Sequence, residues 1–206
     1  IAVAGGPGRV GSHVVELLRE GGCEAGTMYR STGVDVITGE GLDAATLSFR
    51  IAAIRETFEE SGILLARPRG SKALVDAIRA SEIEAAHRAD LCDSKIAFLK
   101  VLTDNGMVLA LDELMPYAHW ITPEGMPKRF DTWFFLAAAP PEQVGAHDGK
   151  ESTDSIWVSP REALEGGDSG RFKLPFPTTR NLIKLGKQAS VRAALDDSRG
   201  KSVVTV

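Results

Sequence analysis

Three glutamates fall within one short stretch, Arg55-Glu56-Thr57-Phe58-Glu59-Glu60-Ser61-Gly62-Ile63. On a helix, Glu56 stands i, i+4 from Glu60 and i, i+3 from Glu59, so the three carboxylates share one face. Like charges at that spacing cost only about 0.2–0.5 kcal/mol per pair, which a helix tolerates. Closely packed carboxylate oxygens suit Mg²⁺ or Mn²⁺, cations that hold diphosphates for hydrolysis. A bare E-x-x-E-E pattern is more often a solvated acidic face, so spacing alone leaves both readings open.

The elements around the cluster are legible in part. Asp43 can cap a helix whose apolar positions Ile51, Ile54 and Phe58 can dock on a sheet, and Gly62 supplies its stop. Residues 71–105 are predicted mostly helical, closed by Gly106. The period then changes to that of strands over Met107–Leu111, Ala118–Thr122, Phe130–Ala138 and Ser155–Val158. Ser159-Pro160 opens a short helix, Pro177–Lys187 forms a last amphipathic one, and Asp196–Val206 carries no strong signal. Arg129, Asp131 and Trp133 alternate along a predicted strand. Arg129 can meet a phosphate and Trp133 can stack on a base, although a half-exposed sheet face explains them equally well.

The wording R-E-x-x-E-E-x-G-aliphatic resembles the core of the Nudix box, with Thr57 in a usually aliphatic slot. The resemblance extends to His119-Trp120-Ile121-Thr122-Pro123-Glu124-Gly125, Lys128–Phe135, His147-Asp148-Gly149 with Glu151, Trp157–Leu164 and Leu174–Thr179. Together these are similar to the branch that holds the peroxisomal coenzyme A diphosphatases and bacterial relatives, over about residues 49–188, with 71–105 as its helical insertion. The resemblance implies an α/β/α sandwich with a mixed sheet, and hydrolysis of a diphosphate linkage in a nucleoside-diphosphate derivative, with a coenzyme A-like substrate favoured. It implies that Arg55 orients the acidic cluster, that Glu56, Glu59 and Glu60 hold Mg²⁺ or Mn²⁺ or orient the attacking water, and that Glu151 is a base or further ligand. Two departures stand out. Leu47 occupies the slot of an upstream Glu, and only Thr38–Asp43, with Gly41, stands where that branch has a Phe-Pro-Gly-Gly-like turn.

A second signal precedes the first. Gly5-x-x-Gly8-x-x-Gly11 follows a predicted strand and opens a predicted helix, the form of a loop that lets backbone approach a pyrophosphate. With His13–Leu18, Arg30 and Gly33–Val36, residues 1–47 resemble the start of NmrA-like, NAD(P)-binding Rossmann proteins, although the remaining strands and pocket of such a domain do not follow. The expected organisation is a short Rossmann-like βαβ fragment over 1–40, a Nudix domain over 41–188 and a tail over 189–206. The alternatives to the enzyme are an inactive Nudix scaffold and an NAD(P)-sensing module built on Gly5, Gly8 and Gly11.

Composition narrows the partners. The 206 residues are 43% hydrophobic and 25% charged, as in a soluble globular chain, with a net charge of −4 that disfavours nucleic acid or anionic membrane as the main partner. No apolar run approaches the roughly 18 residues of a membrane span, and Ile1–Gly8 lacks the basic region and apolar core of a signal peptide. Cys23 and Cys92 have no second Cys or paired His nearby, and His13, His87, His119 and His147 are dispersed, so neither a disulfide framework nor a zinc site is expected. The expectation is a cytoplasmic protein acting on a small-molecule nucleoside-diphosphate substrate.

Overall fold

The structure, a computed structural model, describes residues 44–145 and 156–206. The acidic stretch lies on α1 (Ala44–Ser61). It is followed by β1 (Ala66–Pro68), α2 (Ala77–Cys92), α3 (Phe98–Asp104), β2 (Met107–Leu109) and a 3₁₀ turn at Leu111–Glu113. Next come β3 (Met115–Ile121), β4 (Asp131–Leu136), α4 (Pro160–Asp168), α5 (Phe176–Leu185) and α6 (Val191–Ser198). Among the described residues β1 pairs antiparallel with β2 and β3 with β4, while His119 makes an isolated parallel bridge to Thr205.

Two apolar clusters hold these elements together. The larger joins Leu47, Ile54 and Phe58 of α1 to Ile83 and Leu91 of α2, Phe98, Val101 and Leu102 of α3, and the β1–β2 pair. The apolar face of α1 therefore meets helices as well as strands, and Phe58 packs on Phe98 with ring centroids 6.1 Å apart. The smaller cluster (Tyr117, Leu136, Leu185 and Ala194) joins the β3–β4 hairpin to α5 and α6. Period 2 sorts the hairpin's faces. Trp133 and Phe135 point toward α1, where Phe49 lies 6.2 Å from Trp133 and the Arg50 guanidinium lies over Phe135. Ala118 and Trp120, opposite Phe134 and Thr132, face the other way.

Several expectations are corrected. The strand expected over Met107–Leu111 stops at Leu109, because the chain turns at once into the 3₁₀ segment. That turn is pinned from two sides. Arg67 donates to Asp112 at 2.5 and 2.8 Å and to Glu113 at 2.7 Å, and Arg50 donates to the carbonyls of Leu111 and Leu114 at 2.7 and 2.8 Å. Of the strand expected over Ser155–Val158, the described residues Ile156–Val158 are exposed and belong to no strand among the described residues. The strand expected over Phe130–Ala138 starts at Asp131, so Arg129 precedes it and donates to the Thr122 carbonyl at 3.0 Å, closing the hairpin loop. The tail expected over 189–206, of which Asp196–Val206 carries no strong signal in sequence, forms α6 behind a Ser190 cap and pairs with β3 through Val206.

Candidate active site

Helix α1 carries Arg55, Glu56, Glu59 and Glu60, each half-buried. Arg55 Nη1 lies 3.6 Å from Glu59 Oε1, one helical turn away. Thr57, in the slot that is usually aliphatic, is buried, and its hydroxyl donates to the Ala53 carbonyl at 2.7 Å. That bond satisfies the polar atom, so the methyl can pack where a larger aliphatic side chain would sit. Leu47, in the slot of the upstream Glu, is buried in the main cluster and serves packing.

The helix ends by a dense set of bonds. Gly62 adopts φ +73°, the left-handed region that favours glycine, and its N–H donates to the Phe58 carbonyl at 2.9 Å. Ser61 Oγ donates to Thr57 O at 2.6 Å. Arg88 of α2 sends Nε to the Glu59 carbonyl at 2.9 Å and Nη1 to Glu84 at 2.7 Å. Sequence reasoning missed Arg88. It sits in a stretch that reads simply as helical, and its partner is 29 residues upstream.

Carboxylate oxygens are the donor type that Mg²⁺ and Mn²⁺ take, so the donors on α1 fit such a cation in chemistry. Among the described residues, however, no group of three or more His, Cys, Asp or Glu side chains is arranged to hold a metal. Glu151, the Gly41 turn and the loop of Gly5, Gly8 and Gly11 lie outside the described residues. The segment leading toward Glu151 is anchored just before it by Gln143. Its amide accepts from Leu64 N–H at 2.9 Å and donates to Val75 O at 3.2 Å and Leu64 O at 3.4 Å.

A second polar group, also missed in the sequence, lies on the hairpin. His119 is buried and lies flat on Trp133, ring centroids 4.2 Å apart, with its two ring nitrogens 2.6 Å from Asp131 Oδ1 and 2.8 Å from Thr205 Oγ1. The alternation of Asp131 and Trp133 was the available signal. Only the register, with His119 opposite Trp133, ties His119 to it. On the reverse face two clefts of about 590 and 540 Å³ share Trp120, Phe176 and Val206, and neither is lined by the α1 carboxylates.

The model for the NUDT19 Nudix domain family matches residues 29–185 of this chain. The chain belongs to the Nudix hydrolase family. Within it, the chain is 32% identical over 155 residues to the acyl-coenzyme A diphosphatase NUDT19 of Gallus gallus, covering 68% of this chain and 40% of the relative. It is 32% identical over 146 residues to the Xenopus laevis protein of the same name, covering 66% and 38%. This Nudix chain therefore spans about 40% of the length of these curated relatives. A solved Nudix hydrolase from Alicyclobacillus acidocaldarius superposes with a TM-score of 0.54 at 24% identity, over 78% of this chain and 69% of that one, which supports a Nudix-like α/β fold. No described helix is long and apolar enough to cross a membrane.

Proposed function

We propose that this Nudix chain hydrolyses the diphosphate linkage of a coenzyme A-like nucleoside-diphosphate derivative with the help of Mg²⁺ or Mn²⁺. The observation that carries the reading is the α1 face of Glu56, Glu59 and Glu60 with Arg55 against Glu59, in a chain whose relatives carry the name acyl-coenzyme A diphosphatase. Glu56, Glu59 and Glu60 would hold the cation, and Glu151 is the further ligand or base in the same reading. When bound, such a cation acidifies a water and offsets charge developing on the diphosphate oxygens. Arg55 restrains Glu59 and offsets part of the repulsion among the carboxylates. The partner is a small molecule rather than nucleic acid, in keeping with the net charge of −4.

The test is hydrolysis of a panel of coenzyme A, NADH, ADP-ribose and nucleoside triphosphates, with Mg²⁺ or Mn²⁺ and with chelator. Cleavage of coenzyme A that requires the cation and falls about 100-fold or more in Glu60→Gln is the expected result. Folded protein that cleaves no member of the panel, or a Glu60→Gln variant with full activity, would sink the reading.

A further inference from the structure

The carboxylates of α1 stand where their own helix opposes them. Glu59 and Glu60 occupy its last turn, the negative end of the helix dipole, and no basic residue of α1 lies in that turn. The last carbonyls of a helix also lose their intrahelical donors. Thr57 O and Phe58 O are served within the segment, by Ser61 Oγ and by Gly62 N–H. Beyond Gly62 the chain leaves the helical path, and the N–H of Ile63, which would have served Glu59 O, lies instead 3.4 Å from Ser61 Oγ. Glu59 O is reached from another helix, by Arg88 Nε at 2.9 Å and Cys92 Sγ at 3.6 Å.

We infer that Arg88 is a positioning residue for the metal site: the helical insertion fixes the carboxylate-bearing last turn of α1 through the Arg88–Glu59 backbone contact. The inference rests on the metal-dependent reading above. Arg88 is 9% exposed and is oriented by Glu84 at 2.7 Å, so its fork is held rather than sampled. It supplies both things that the end of α1 lacks in its own sequence, a donor for Glu59 O and a positive charge at the helix C-terminus. The Glu84 carboxylate also lies against Gly62, filling the place where a Cβ on residue 62 would stand. In this scheme Arg88 touches neither substrate nor cation and acts through the Glu59 carbonyl.

The experiment is Mn²⁺ titration of the 206-residue chain by electron paramagnetic resonance, below the thermal transition, beside melting curves for each variant. Arg88→Gln is expected to weaken Mn²⁺ binding about tenfold, the scale seen when groups supporting metal ligands are lost. Arg88→Lys, which keeps the charge and the aliphatic stem, is expected to recover part of that loss. Arg79→Gln removes an exposed charge from the same helix and is expected to bind Mn²⁺ like the wild type. A lowered melting temperature with wild-type Mn²⁺ affinity in Arg88→Gln would make Arg88 merely structural and overturn the inference. If Arg88→Gln does not fold, Arg88→Met, which keeps the aliphatic stem but neither the charge nor a donor, takes its place, and wild-type Mn²⁺ affinity in that variant overturns the inference equally. Failure of the wild type to bind Mn²⁺ overturns the metal reading and this inference together, whereas binding that Arg88→Gln leaves intact overturns this inference alone.

Discussion

Gly62 ends the carboxylate helix at a point where two constraints meet. Its φ of +73° is a conformation that side-chain-bearing residues adopt at a cost, and the space beside its Cα is taken by the Glu84 carboxylate. Gly62→Ala should therefore strain the turn and push Glu84 away from Arg88. We expect a loss of about 1–2 kcal/mol of stability, read by urea denaturation. An unchanged midpoint would show that the turn can relax. Thr57 makes the converse point, since a hydroxyl in an apolar slot costs little once the Ala53 carbonyl accepts its proton.

At the scale of elements, Gln143 ties two segments together through their backbone groups. Its side-chain amide takes the Leu64 N–H and gives protons to Val75 O and Leu64 O, tying the segment after β4 to the chain on both sides of β1. Gln143→Ala leaves those buried backbone groups without that partner, at a cost of about 2 kcal/mol. The loss should show in chemical denaturation, and in faster hydrogen exchange at Leu64 than in the wild type. Exchange at Leu64 that matches the wild type would mean that other groups hold this segment. The helices begin for more local reasons. Ser159 and Glu162 form a capping box ahead of α4, with Ser159 Oγ accepting from Glu162 N–H at 3.2 Å and Glu162 accepting from Ser159 N–H at 2.9 Å.

Across the whole molecule the hairpin separates two environments. One face carries Trp133 and His119 toward α1. The other buries Tyr117 under α5, where its hydroxyl donates to Asn181 O at 3.2 Å and its carbonyl accepts from Lys184 Nζ at 2.9 Å. Burial, with a smaller push from Asp197, raises the Tyr117 pKa well above its ordinary 10.0. The unfolded chain therefore gives up this proton at a lower pH than the folded one. The contribution to stability is present in full below about pH 10 and is lost progressively as pH rises above it. Burial lowers the Lys184 pKa, which acts in the opposite sense, so the tyrosine is best isolated by substitution. Tyr117→Phe should be less stable than the wild type at pH 8 and should lose less stability between pH 9 and 11. Parallel stability curves for the two proteins across that range would contradict the assignment.

What the sequence determined by itself is local. A 3.6-residue period, a glycine stop and the order of acidic residues specify α1 and place Glu56, Glu59 and Glu60 on one face, because each of these depends on neighbours within a turn or two. The cap of α4 and the helical insertion are legible for the same reason. Three-residue β1 was not, being too short for alternation to register, and α6 was missed although Ser190 caps it. Tertiary structure alone decided the partnerships across distance. Arg88 reaches Glu59 over 29 residues, Gln143 reaches Leu64 over 79, and His119 meets Asp131 and Thr205 only in the register that β3 adopts. Such contacts follow from how helices dock and strands align, and the energies that set docking and register belong to whole packed faces rather than to any local run of residues.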